Sequence, residues 1–160
     1  MNKIVTWGAL KTQVELARGE GKKIAFTNGC FDILHVGHVR YLREARKTGD
    51  LLILGLNSDA SVRKIKGETR PLVPQAERAE VVASLDAVDY VTLFDDPTPL
   101  RLIERLRPDV LVKGGDWNEE SVVGGDSVRS WGGRVVIVPL TEGVSTTNIV
   151  EKVLQVYRRE

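Results

Sequence analysis

Residues 27–42 read TNGCFDILHVGHVRYL, and this stretch decides how the chain folds around its most reactive side chains. It continues a strand-like apolar run, passes through Gly29 and enters a helical pattern near Gly37. A strand that feeds a glycine turn and then a helix brings backbone N–H groups and the positive end of a helix dipole to one point. His35 and His38 lie at that point, at a spacing that lets both rings face the same side. The sequence therefore predicts a site for phosphate oxygens whose negative charge grows during a reaction.

Two other interpretations of these histidines stay open. Both can be structural residues whose ring nitrogens are satisfied near a turn. They can also belong to a zinc site with Cys30 and with Asp32 as the fourth ligand, because zinc takes three or four such side chains. The chain has no other Cys or His, and these crowd within one turn, which disfavours zinc.

Short apolar runs alternate with segments of helical periodicity along the rest of the chain. Their nearly continuous Val, Ile and Leu content indicates strands that are buried on both faces. The alternation predicts a Rossmann-like, doubly wound α/β sheet of about five parallel strands with helices on both faces. The predicted strands cover 24–28, 51–56, 89–94, 109–113 and 134–138. The predicted helices cover roughly 7–18, 37–48, 58–65, 75–85, 98–107, 120–131 and 146–156.

The length of the chain, 160 residues, predicts a single domain over 1–160. We expect an N-terminal helical extension over 1–22 and the core over 23–160. The segment 66–75 (KGETRPLVPQ) contains one glycine, two prolines and mixed charge, which is typical of a long, mobile loop.

The charge balance excludes some classes of partner. With 23 basic and 22 acidic side chains, the net charge is +1, so we expect neither a general nucleic-acid binder nor a binder of anionic membranes. No apolar run approaches the ~20 residues that span a bilayer, and the N-terminus lacks a signal-peptide pattern. A single cysteine, Cys30, fits a reducing compartment. We therefore expect a cytoplasmic protein.

Open parallel sheets bind ligands beyond the carboxyl ends of their strands, and several polar residues follow predicted strands there. Asn57 and Asp59 follow the second strand, and KGGDW at 113–117 follows the fourth. The glycines permit close approach of a nucleotide to the backbone, while Lys113 offers a positive charge. The alternatives are a helix start at Asp59 and a bare turn at the glycines.

Two motifs, FDILHVGH at 31–38 and TEGVSTTNI at 141–149, resemble the HxGH nucleotidyltransferase superfamily and, within it, the cytidylyltransferase-like branch. The resemblance implies a Rossmann-like fold. It also implies attack by a substrate phosphate on the α-phosphorus of a nucleoside triphosphate, with pyrophosphate leaving. His35 and His38 would stabilise the transition state, and Ser145, Thr146 and Thr147 would contact the triphosphate. Each of these hydroxyls, taken alone, is also a normal helix cap.

Within this branch, the chain is most similar to the adenylyltransferase domain that makes ADP-activated heptose. The similarity lies in TNGCFD, GLNSDASVRKIKG, ERAEVVASL and VKGGDW. Leu140 stands where the glycerol-phosphate enzymes have an arginine. The resemblance implies transfer of AMP from ATP to heptose 1-phosphate. The alternatives are a cytidylyltransferase that acts on glycerol phosphate or a similar phosphoalcohol, and a non-catalytic nucleotide-binding module.

The resemblance also implies roles for further residues. The expected nucleotide-binding residues are Thr27, Asn28, Gly29, Phe31, Asp32, Gly37, Lys113, Gly115, Asp116 and Trp117. The expected residues for the substrate and its phosphate are Asn57, Asp59, Lys66, Arg70 and Arg78, although charged residues of the 66–75 loop are also typical of a solvated surface. The expected cofactor is Mg²⁺ that arrives with ATP, without a protein-only metal site. A homodimer and a separate sugar kinase are the expected partners.

Overall fold

A computed structural model describes residues 2–115 and 117–158, and its described strands form one parallel sheet in the order β3-β2-β1-β4-β5. The strands are β1 (Ile24–Gly29), β2 (Leu51–Asn57), β3 (Tyr90–Phe94), β4 (Val110–Gly114) and β5 (Arg134–Val138). The prediction of a five-stranded parallel sheet is confirmed. The strands are buried because helices cover both faces, which explains their continuous apolar character.

The order of the strands reverses between β1 and β4. The chain winds from β1 outward to β3, then crosses back to β4 on the other side of β1 and continues to β5. The pairing of β1 with β2 runs the whole length of β1, from Ile24–Leu51 to Gly29–Leu56. The pairing of β1 with β4 covers Ala25–Val110 and Phe26–Leu111 and stops short of the carboxyl ends. A crevice at such a switch point is where an open α/β sheet binds ligands.

The helices form two layers, one on each face of the sheet. The described helices are α1 (Trp7–Gly19), α2 (Val36–Arg46), α3 (Asp59–Lys66), α4 (Gln75–Ala83), α5 (Leu100–Leu106), α6 (Gly125–Ser130) and α7 (Thr146–Tyr157). On one face, α2 and α4 contribute buried apolar side chains such as Leu42 and Val82. On the other face, α1, α5 and α6 contribute Leu10, Ile103 and Val128. The helix predicted at 7–18 is confirmed, and it packs as part of this second layer.

The continuous helix predicted over 120–131 is wrong. A short 3₁₀ turn covers Glu119–Ser121, Val122 is extended, and α6 begins only at Gly125. Gly124 interrupts the helix because it adopts a left-handed conformation with φ of 85°. A Cβ at that position would also lie 2.7 Å from Cδ1 of Ile103, so this turn requires glycine.

No helix in the described ranges combines the length and the apolar character that crossing a bilayer would require.

Candidate active site

The site begins where β1 ends and α2 starts. His35 is the N-cap of α2, with extended backbone angles of φ −141° and ψ 172°. The N–H groups of the first turn of α2 therefore point toward the carboxyl edge of the sheet. Gly37 is buried, and a Cβ there would lie 2.9 Å from Nδ1 and Cε1 of His35. Glycine at this position thus leaves room for the His35 ring.

The two imidazole rings stack against each other. Their centroids are 3.8 Å apart and their planes differ by 22°. The ring of Phe31 lies 5.0 Å from the ring of His38 at an angle of 48° and supports it from another side. The structure therefore brings both predicted catalytic side chains to one point at the start of α2.

The backbone selects one tautomer of His38. The N–H of His35 donates to Nδ1 of His38 over 3.4 Å, so Nδ1 acts as an acceptor and the proton of the neutral ring is on Nε2. Burial, with a smaller contribution from the neighbouring His35, lowers the pKa of His38 to about 4. Burial also lowers the pKa of His35. At neutral pH the pair consequently offers neutral N–H donors to a ligand.

A second helix start lies across the cavity from the histidines. Ser145 is the N-cap of α7, and its Oγ accepts a hydrogen bond from the N–H of Asn148 at 3.0 Å. Within the described residues, no other hydrogen bond occupies the hydroxyl proton of Ser145 or the hydroxyls of Thr146 and Thr147, and a ligand could use them. Two helix N-termini therefore border one cavity, which suits a polyanion.

This first cavity has a volume of about 430 Å³. It gathers many of the predicted site residues, namely Phe31, Asp32, His35, Gly37, His38, Lys66, Arg70, Ser145, Thr146 and Thr147. Tyr41 and Leu140 also line it, and they were not among the predicted contacts. Tyr41 lies three residues after His38, so the helical spacing that pairs the histidines also indicates its position.

Asp32 holds the loop between α3 and α4 against the histidine turn. Its carboxylate, 1% exposed, accepts hydrogen bonds from Nε of Arg70 at 2.5 Å and from the backbone N–H groups of Leu72 at 2.9 Å and Val73 at 2.8 Å. Burial acts to raise the pKa of Asp32, but the two backbone N–H groups and the Arg70 guanidinium lower it below its usual value. Asp32 thereby fixes Arg70 at the cavity wall.

Arg78 joins the carboxyl ends of β1 and β2 to the same loop. Its guanidinium is fully buried and donates to the carbonyl oxygens of Val73, Cys30 and Asn57 and to Oδ1 of Asp59 at 2.8 Å. These acceptors use four of its five N–H groups. Neither Arg78 nor Asp59 lines this cavity or the second one described below, so the geometry favours a supporting role over the predicted contact with substrate.

A second cavity, about 360 Å³, adjoins the first. It is lined by Asn28, Asn57, Lys113 and Trp117, while Lys66 and Cys30 line both cavities. Nζ of Lys113 donates to Oδ1 of Asn28 at 2.9 Å, and burial lowers the pKa of the ammonium group. Asn57, predicted for the substrate, therefore shares a cavity with Lys113 and Trp117, predicted for the nucleotide.

The remaining predicted residues lie around these cavities. Thr27 is buried beneath them, with Oγ1 2.5 Å from the hydroxyl of Tyr41, which also donates to the carbonyl of Val112. A Cβ on Gly29 would lie 2.7 Å from the Phe31 ring, and Gly115 has a φ of 112°, so both positions favour glycine. Asp116 lies outside the described residues.

The zinc interpretation has no support from the side-chain positions. Within 2–115 and 117–158, no three His, Cys, Asp or Glu side chains come together in a group that would hold a metal ion. The carboxylate of Asp32, the proposed fourth ligand, is instead bonded to the loop at Arg70, Leu72 and Val73.

Two bacterial proteins are closely similar to this chain in sequence. The chain is 59% identical to the "Bifunctional protein HldE" of Geobacter metallireducens over 158 residues, which is 99% of this chain and 32% of the relative. It is 61% identical to the protein of the same name from Geobacter sulfurreducens over 143 residues, 89% of this chain and 29% of the relative. The chain thus spans about a third of the length of these relatives.

Solved structures share the fold. The lipopolysaccharide core biosynthesis protein of Thermoplasma volcanium superposes with a TM-score of 0.62 at 26% identity, covering 76% of this chain and 98% of that one. The pantothenate synthetase of Thermus thermophilus shares the fold with a TM-score of 0.63 at 16% identity, over 92% of this chain and 67% of that one. The cytidylyltransferase-like family model matches residues 26–152, which include both histidines and the hydroxyls of α7. This match covers most of the chain, and the protein therefore belongs to the cytidylyltransferase-like family.

Proposed function

We propose that the protein transfers AMP from ATP to heptose 1-phosphate and produces ADP-heptose and pyrophosphate. The observation that carries the proposal is the pair of stacked imidazoles at the start of α2, which faces the hydroxyl-bearing start of α7 across one cavity. The choice of substrates is supported by the similarity to the ADP-heptose domain and by the close relatives named HldE. Those relatives are called bifunctional and are about three times as long.

The cavity supplies what this reaction needs. The triphosphate would lie between the two helix starts, where backbone N–H groups and the hydroxyls of α7 donate to its oxygens. An oxygen of the acceptor phosphate would attack the α-phosphorus. The new P–O bond forms as the bond to the β-phosphate breaks, and pyrophosphate carries away the electron pair. His35 and His38 would stabilise the growing charge as neutral N–H donors, because burial keeps their pKa values low.

A general base is not needed for this attack. A phosphate monoester is already ionised near neutral pH, so its oxygen is a nucleophile without loss of a proton. The role of the chain is therefore to position the two phosphates and to stabilise charge. Lys66 and Arg70, which line the first cavity, add positive charge beside the phosphates.

The expected Mg²⁺ fits this donor set as an ion held by the nucleotide. The first cavity is rich in N–H and hydroxyl donors and cations, and the part of the chain that the structure describes contributes no carboxylate cluster to it. Phosphate oxygens and water would thus supply the ligands of Mg²⁺. When bound, the ion neutralises negative charge on the triphosphate.

A product screen tests the proposal. The purified protein is mixed with Mg²⁺, one nucleoside triphosphate and one phosphate acceptor, and the products are separated and identified by mass. We expect ADP-heptose and pyrophosphate from ATP and heptose 1-phosphate. Absence of this product at high protein concentration would refute the proposal. Faster turnover of CTP with glycerol phosphate would instead favour the alternative that Leu140, exposed at the cavity, argues against.

Two finer expectations about partners are proposals as well, a homodimer and a separate sugar kinase that supplies the acceptor. The dimer is supported by α7, which exposes Val153, Leu154, Val156 and Tyr157. Sedimentation analysis of the purified protein measures its mass in solution, and a monomer at micromolar concentration would contradict the dimer.

A further inference from the structure

The second cavity lies directly at the reversal of strand order. Asn28 is near the end of β1 and Lys113 is near the end of β4, the two strands between which the order reverses. Its volume of about 360 Å³ is at the lower end of the roughly 300–1,000 Å³ typical of ligand pockets. A cavity of this size suits a single sugar ring better than a complete nucleotide.

Lys113 gives this cavity a positive charge for which the described residues supply no carboxylate partner. Among the residues that the structure describes, its recorded hydrogen-bond partner is the neutral amide of Asn28. No ion pair with a described carboxylate accompanies it. This partly buried ammonium group has two further N–H donors, and oxygen atoms of a ligand would satisfy them.

The other side chains that line the second cavity are of types that bind carbohydrates. Asn57 and Thr98 add an amide and a hydroxyl, which can exchange hydrogen bonds with sugar hydroxyls. Trp117 is 56% exposed, and its indole lies 3.6 Å from the position that a Cβ on Gly115 would take. An exposed aromatic ring at the rim offers a flat apolar surface to the C–H groups of a sugar.

The position of the cavity matches the geometry of the proposed reaction, on which this inference rests. The triphosphate occupies the first cavity, so the attacking phosphate has to lie at its border. Lys66 and Cys30 line both cavities and mark this border. A phosphate held beside Lys66 places the rest of the acceptor in the second cavity.

We infer that the second cavity binds the sugar of the phosphorylated acceptor, and that Lys113 and Trp117 select it. This assignment differs from the expectation from sequence that both residues contact the nucleotide. The acceptor class is a polyhydroxylated ring with one phosphate. Lys113 recognises its hydroxyl oxygens and Trp117 packs against its carbon face.

Steady-state kinetics of the substitution Lys113→Met test the inference. The methionine keeps most of the side-chain volume but removes the donors. A hydrogen bond to a charged group contributes roughly 1.5–3 kcal/mol, so we expect the KM for heptose 1-phosphate to rise about tenfold to a hundredfold. The KM for ATP should change less than about twofold. Lys47→Met removes an exposed ammonium group at the end of α2 and should leave both constants unchanged.

Trp117→Ala is the second variant, since an exposed side chain can be removed without loss of the fold. It should raise the KM for heptose 1-phosphate and not that for ATP, and it decides the question if Lys113→Met does not fold by circular dichroism. Titration with heptose 1-phosphate alone should change the tryptophan fluorescence of the wild type and not that of Trp117→Phe. A rise in the KM for ATP alone overturns the inference while the proposed function stands. If the wild type forms no ADP-heptose, both are overturned.

Discussion

Replacement of Asp32 by Asn should release the loop between α3 and α4. The carboxylate accepts from Arg70 and from the backbone N–H groups of Leu72 and Val73. An asparagine retains one oxygen acceptor but places an NH₂ group against the remaining donors. Loss of one or two hydrogen bonds to a charged acceptor should lower the free energy of unfolding by about 2–4 kcal/mol. Water can hydrate the partly exposed Arg70 in the variant, which offsets some of the loss.

Urea denaturation measures the change in stability, and hydrogen exchange by mass spectrometry measures protection of 67–74. We expect a lower unfolding free energy and faster exchange at Leu72 and Val73. Asp126→Asn is the matched control, because that carboxylate is 96% exposed in its pair with Arg129 and should cost less than about 0.5 kcal/mol. A loss below about 1 kcal/mol for Asp32→Asn with unchanged exchange would refute the proposed attachment of the loop.

The same contact has a defined dependence on pH. Because the folded-state pKa of Asp32 is lowered, its stabilising effect is complete above the unfolded-state value of about 3.9 and is lost as the pH falls through the folded-state pKa. The difference in stability between wild type and Asp32→Asn should therefore be constant near neutral pH and shrink in acid. A difference that grows on acidification would contradict this sign.

The remaining predictions concern the histidine turn and its support. His38→Ala should lower kcat by about 10²–10³ and change the Kd for ATP little, whereas an equal loss of both would show that His38 only shapes the cavity. ¹⁵N NMR should show neutral His38 with its proton on Nε2 from pH 7 down to 5, because its pKa is about 4; titration near 6.5 would contradict this reasoning. Gly37→Ala would place a Cβ 2.9 Å from the His35 ring, so turnover should fall. The free energy of unfolding, measured by thermal unfolding, should decrease by about 1–3 kcal/mol. Arg78→Met removes the buried donors to Asp59 and to three backbone carbonyls and should cost about 3–5 kcal/mol in urea denaturation, whereas a change only in the KM of the acceptor would indicate substrate contact instead.

The sheet and the start of α2 were predictable from sequence because short-range signals determine them. Continuous apolar runs that alternate with segments of helical periodicity indicate parallel strands. Gly37 between two histidines indicates a helix start at a ligand site. The broken helix before α6 was missed because its helical periodicity continues through Val122. The interruption comes from Gly124, whose turn packs against Ile103 of a distant helix.

The division of the site residues between two cavities was not predictable in the same way. Whether Asn57 faces Lys113 depends on the order of strands across the sheet, which residue types do not encode. The burial of Arg78 was not predictable from the sequence for a related reason. Its partners are mostly backbone carbonyls, and every residue supplies a carbonyl, so no sequence pattern marks them.

The short ladder between β1 and β4 has a consequence for how such a protein can diversify. Only two residue pairs of the described ladder join the two halves of the sheet, Ala25–Val110 and Phe26–Leu111. Beyond these pairs the strands leave a crevice, and side chains from the connecting segments line it. Thr98 and Trp117, both exposed, belong to those segments and not to the apolar interior. Exchanging them alters the shape of the crevice at little cost in folding free energy. The same fold can thus come to bind other acceptor substrates during evolution while His35 and His38 remain unchanged.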